Sequence, residues 1–167
     1  MIYIGIISQK KPIYGGYNNW VLIQDFDTEQ EWSFFTKTKE YLSKHFTPFL
    51  KKMKTMKKNV KIIRGDNAGE NRTLKKYFMK NFKEIKFEFT SPGTPHKNVV
   101  VEWGFAKLYS RTRAMMIHAV LHENLKTGLS PECTATATKL ENIMVNPHKE
   151  KCAHEKFYGK ISDYKNT

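Results

Sequence analysis

Acidic residues are scarce in this chain, and scarcest at its beginning: from Met1 to Gln24 there is no Asp or Glu at all. Over the full 167 residues, 16 Asp and Glu stand against 29 Lys and Arg, a formal net charge of +13. That imbalance points to a polyanionic partner, nucleic acid first, and away from partners that are themselves basic. The competing reading is a lysine-rich surface that is merely solvated. Cysteine is nearly missing too. Cys133 and Cys152 are too few for a disulfide framework, which excludes the small secreted scaffolds and fits a reducing compartment. No run of about 18 apolar residues occurs, so no membrane span is expected. The opening MIYIGIISQKK lacks a leading basic region and a small-residue cleavage site, so no signal peptide is expected either. Internal repeats and low-complexity blocks are absent. The length suits one domain with a real hydrophobic core.

Hydrophobic periodicity lays out the elements. Residues 2–7, 17–24 and 31–36 read as three strands, with a Gly15-Gly16 turn and Asp25, Asp27 and Thr28 supplying the second turn. Short connections make them an antiparallel meander. Leu42, Phe46, Phe49, Leu50, Met53 and Met56 then share one helical face. Pro48 is expected to kink this helix, or to begin a fresh one capped by Thr47. Residues 60–64 form a fourth strand, about 71–82 a helix, and 85–89 a fifth strand. The Pro/Gly-rich stretch 90–98 is a loop, about 99–124 is helical, and Ser130-Pro131 starts a last helix reaching about Met144. The order predicts an α/β fold. Its mixed five-stranded sheet, a three-stranded meander plus two further strands, carries helices on both faces.

Charge is concentrated locally. Between Lys37 and Arg64 there are ten basic residues and a single acid, Glu40. Lys51, Lys52, Lys54, Lys57 and Lys58 lie on the polar side of the first helix, where they either track phosphates or are simply solvated.

Two acids stand out by position. Asp66 follows a strand, where open α/β sheets place their chemistry. Glu102 falls at the start of a long helix, after the loop, with 35 residues between the two. Paired carboxylates hold divalent metals, and two metals drive in-line phosphoryl transfer. The bland alternative makes Asp66 a helix cap and Glu102 a favourable negative charge in a first turn. Two histidine and cysteine sets carry less. His118 and His122 lie four apart on a helix without an HExxH motif, and Cys133, His148, Cys152 and His154 are irregularly spaced for zinc.

The segments IIRGDNAGEN, FEFTSPGTPHKNVVVEW and RTRAMM resemble the integrase core of copia-type retrotransposons and, more distantly, of retroviruses. YGGYNNWVLIQDFD and WSFFTKTK resemble that family's second and third strands. PECTATATKLENIMVNP and HEKFYGKISDY resemble its C-terminal helix and tail. The likeness covers nearly the whole chain. It implies a ribonuclease-H-like fold, with an integrase-like core over residues 1–125 and a C-terminal helix and tail over 126–167. It implies divalent-metal-dependent polynucleotidyl transfer on DNA, with Mg²⁺ or Mn²⁺ held by Asp66 and Glu102 as catalytic acids. Asn67 and Asn98 would support the site, and Lys97, Lys107, Arg111 and Arg113 would face DNA. The partners implied are DNA and other integrase subunits as a homo-oligomer, with no membrane and no small-molecule cofactor. The location implied is intracellular, nuclear for a functional copy.

Several positions depart from that pattern. The family's third carboxylate lies on the first strand, roughly eleven residues before the Gly-Gly, a count that reaches Ile4 here. Asp25 and Asp27 align with a distant turn. Val99 and Trp103 replace a glycine and a basic residue, and Gly104 interrupts the helix that carries Glu102. These departures lead to the expectation of an impaired copy that holds at most one ion weakly. The reading from another class is a non-catalytic basic module that binds nucleic acid or other integrase subunits.

Overall fold

The structure, a computed structural model, describes residues 1–13, 16–38, 42–66, 69–90, 99–145 and 147–161. Five strands, β1 (Ile2–Ile13), β2 (Tyr17–Asp25), β3 (Glu31–Thr36), β4 (Ile62–Gly65) and β5 (Lys86–Phe89), form one sheet in the order β3-β2-β1-β4-β5. The first three pair antiparallel, and β4 joins β1, and β5 joins β4, in parallel. The helices are α1 (Leu42–Thr55), α2 (Gly69–Asn81), α3 (Val99–His118), α4 (Glu123–Ile143) and α5 (Ala153–Tyr158).

Strand alternation sorts the side chains into two cores. Ile2 and Ile4 of β1, Val21 and Ile23 of β2 and Ile63 of β4 pack against α1 and α2 through Phe46, Phe49, Leu74 and Phe78. Phe157 of α5 reaches this core as well, its ring edge-on to Trp32 at 5.0 Å. On the opposite face Tyr3, Trp20 and Leu22 meet Val101, Phe105 and Leu108 of α3 and Ala137 of α4. The expected mixed sheet with helices on both faces is what the chain forms.

Helix α3 comes unusually close to the sheet. A methyl group at Gly5 of β1 would collide with Val101 and would lie 2.6 Å from the Phe105 ring. A methyl at Gly104 of α3 would lie 2.8 Å from Leu22 of β2. A glycine on each surface therefore lets the backbones approach. Gly104 was read from sequence as a weak point in the helix, but the contact with Leu22 gives it a packing reason.

Several boundaries moved. Pro48 lies inside an unbroken α1, so neither a new helix nor a Thr47 cap forms there; the Thr47 hydroxyl instead donates to the Ser43 carbonyl at 2.9 Å. The long helix ends at His118 rather than about 124, with Val120 following at φ 50°. The last long helix begins at Glu123, seven residues before the expected start, and takes Pro131 into its interior. The division proposed at 125/126 thus falls in the first turn of α4, a helix that docks on β3. Asn142 of α4 accepts from the Glu31 N–H and donates to the Glu31 carbonyl, both at 2.8 Å. It satisfies an edge strand that would otherwise expose those groups.

The close approach gives a direct test. Gly5→Ala overpacks the contact with Val101 and Phe105 and should cost about 2 kcal/mol, a Tm drop of roughly 4–8 °C for a chain of this length. Gly69→Ala, where an added methyl meets nothing within 4 Å, should lose no stability and serves as the control.

Candidate functional site

Asp66 directly follows the C-terminal end of β4. Asn71, fully buried on α2, donates from Nδ2 to Asp66 Oδ1 at 2.6 Å. This bond fixes the carboxylate against the start of α2, in keeping with the helix-start role open to it from sequence. Asn71 was not singled out beforehand. An Asn five residues after the acid, in the first turn of a helix, was the available signal.

The β1–β4 register brings Ile4 level with Gly65. One step further along that register Gly5 comes level with Asp66. Ile4 itself turns away into the α1–α2 core, fully buried. The position facing α3 beside Asp66 is therefore Gly5, and the space its side chain would need is filled by Val101 and Phe105. Of the residues at the counted position, Ile4 faces the α1–α2 core and its neighbour Gly5 faces α3. Glu102 lies exposed in the first turn of α3, next to Val101. Among the described residues no group of three or more His, Cys, Asp and Glu is placed to hold a metal ion. Asn67, Lys97 and Asn98 lie outside the described residues.

The basic residues divide into two kinds. Lys51, Lys52, Lys54, Lys57 and Lys58 are all exposed along α1 and just after it. Lys51, Lys54, Lys58 and Lys61 line an open cleft of about 820 Å³ with Asn59, at the end of the sheet where β4 and β5 begin. That is the opposite end of β4 from Asp66. Arg113 is exposed on α3. Lys107 and Arg111, expected to face DNA, both form ion pairs within the fold. Lys107 Nζ lies 3.1 Å from Glu31 Oε1 and 2.9 Å from Glu141 Oε1, and Arg111 lies 2.8 Å from Glu141.

Glu31 is the most deeply buried acid of this network, its side chain 0% exposed. Burial pushes its carboxyl above the usual glutamate range, while the Lys107 ammonium pulls the other way. For Lys107 burial disfavours the charged form, yet the Glu31 and Glu141 carboxylates outweigh it and hold the ammonium above the usual lysine range. Glu31 lay hidden from sequence because it sits in a strand, with its partner 76 residues away.

Comparison with known proteins adds the fold. No family model matches this chain, and no curated protein matches it. Among solved structures it is similar to a chain in the cryo-electron-microscopy structure of the simian T-cell lymphotropic virus intasome in complex with PP2A regulatory subunit B56 gamma. The TM-score is 0.67 at 13% identity, over 92% of this chain and 52% of that one. This chain therefore spans about half the length of the chain it matches. At that identity the likeness establishes an integrase-like fold and no more.

The buried network sets a pH dependence. A carboxyl raised above its unfolded value of 4.5 contributes its stability fully below that pH and loses it as pH rises through the folded value. Glu31→Gln keeps the shape without the charge. Unfolding followed from about pH 4 to 7 should therefore show wild type losing stability relative to the variant as pH rises. Lys107→Met leaves Glu31 buried without its cation and should cost about 3 kcal/mol at neutral pH.

Proposed function

We propose that this chain is an integrase-type core domain, copia-like in its motif wording, that binds DNA and acts beside other copies of itself. Its metal centre is too incomplete for strand transfer. The observation that carries the reading is the meeting of three elements at one place in an integrase-like fold. Asp66 ends β4, β1 runs beside it, and the first turn of α3, with Glu102, presses on β1 at Gly5.

The same place argues against catalysis. In-line displacement needs both the attacking and the leaving oxygen supported, which takes two metals and a ligand shared between them. The residues present do not fit that arrangement, because Val101 and Phe105 occupy the room for an acid on β1 beside Asp66. Asp66 and Glu102 are left as the acids for one weakly held Mg²⁺ or Mn²⁺. Binding is better supported. A net charge of +13 and five exposed lysines on and after α1 favour a phosphate backbone. An intracellular, nuclear location follows only if this reading holds.

Two measurements test the proposal. Blunt duplex DNA should bind without sequence preference, and log Kd should depend steeply on log salt. Replacing Lys51, Lys52, Lys54, Lys57 and Lys58 by Gln should flatten that slope; an unchanged slope would return these lysines to a solvated face. In a joining assay with short DNA ends and Mg²⁺ or Mn²⁺, no joined product is expected. Ile4→Asp should unfold the α1–α2 core rather than restore activity, since Ile4 is 0% exposed. Joining by the unmodified chain that disappears in Asp66→Asn would overturn the assignment of an inactive centre.

A further inference from the structure

Trp103 is an anomaly. Directly after Glu102 on α3, it is 72% exposed, while Trp20 is buried and Trp32 packs against the α1 core. Trp103 lines a second cleft, of about 330 Å³, together with Gln24, Gly104, Lys107, Lys151, Cys152 and Lys156. That volume is at the small end of ligand pockets. It suits about one nucleotide and excludes a duplex.

Three features of this cleft select the same chemistry. Lys151 and Lys156 are exposed and form no ion pair with the described residues, unlike Lys107 and Lys149, which are paired with Glu31 and Glu141 and with Glu29. Gln24 is 7% exposed, and its side-chain carbonyl oxygen has no hydrogen-bond partner. A buried acceptor left open in this way costs free energy unless a ligand donor satisfies it. Trp103 offers an uncovered π-face, which any unpaired base can stack on but a base within a duplex cannot reach.

Helix α5 also meets a lysine that follows α1: Lys58 Nζ lies over the Phe157 ring at 5.2 Å, and the residue before Phe157, Lys156, lines the cleft.

We infer that this cleft binds an unpaired strand of DNA. A base stacks on Trp103, a base N–H donates to Gln24 Oε1, and Lys151 and Lys156 hold the flanking phosphates. This rests on the DNA-binding reading and adds to it the form of DNA recognised.

The test uses the whole chain and a 15-nucleotide oligo-dT, with intrinsic tryptophan fluorescence and far-UV circular dichroism as a folding check. Oligo-dT should quench the emission, because Trp103 is the exposed indole. Trp103→Phe should abolish the quench yet bind within about threefold, since a phenyl ring still stacks, whereas Trp103→Ala should weaken oligo-dT binding by roughly tenfold or more. Blunt duplex affinity should be unchanged in both. Replacing Lys151 and Lys156 together by Gln should lower the salt slope for oligo-dT by about 1.4. Unchanged oligo-dT binding in Trp103→Ala, with duplex binding intact, would overturn this inference and leave the DNA reading standing. Failure of the unmodified chain to bind either duplex or oligo-dT would overturn both. Tenfold tighter binding of oligo-U would make the occupant RNA, and an equal quench by polyglutamate would reduce the cleft to an unselective basic surface; either result overturns the proposal.

Discussion

The contact on which most else depends is the seating of α3 on the sheet through two glycines. Gly5 opens β1 to Val101 and Phe105, and Gly104 opens α3 to Leu22. Close packing of this kind secures dispersion contacts that any added methyl would break. It also limits what β1 can carry. The volume taken by Val101 and Phe105 is the volume that any side chain at Gly5 of β1 would need beside Asp66.

Once α3 is fixed, the charges along it are fixed too. Lys107 is carried over β3 to meet Glu31, and Arg111 meets Glu141. The net charge of +13 is therefore not spread evenly over the surface. Arg64 is held by Glu88 at 2.7 Å, and Lys149 is held by Glu29, while the lysines of α1 face solvent. Net charge alone leads to the expectation of a polyanionic partner, but it does not say which cations are already engaged within the fold. Burial decides that, because a carboxylate as enclosed as Glu31 must recruit a cation or give up its charge.

How legible the chain was follows the range of the interactions involved. Strand β3 appears at residues 31–36 as read, and Leu42, Phe46, Phe49, Leu50 and Met53 are the buried face of α1 as read. Both rest on periods of 2 and 3.6 residues, which are local properties. Helix α4 was misjudged at its start because Ser130-Pro131 is a strong local start signal that tertiary packing overrode; the Ser130 carbonyl accepts from the Thr134 hydroxyl within a continuous helix. Phe157 was placed in a tail, yet it completes a core built mostly from residues 2–87, which no local pattern reveals. The position of Asp66 after a strand was legible. Its tie to Asn71, and the identity of Gly5 as the residue beside it, required the β1–β4 register.

The two ends of β4 then carry different groups. Asp66 stands at the C-terminal end, whereas the cleft of Lys51, Lys54, Lys58 and Lys61 opens where β4 and β5 begin, about 13 Å of strand away. The antiparallel pairing sets Gln24 opposite Tyr3, and Tyr3 lies level with Arg64, so the end of β2 stands two residues short of Asp66. Trp103 lies on that side as well, since the start of α3 packs on β1 at Gly5. On the DNA-binding proposal, two modest sites on one rigid core would give a strand that spans both an effective concentration that neither offers alone. The exposed lysines and the filled space beside Asp66 are separate features of the fold, and the proposal of binding without strand transfer draws on both.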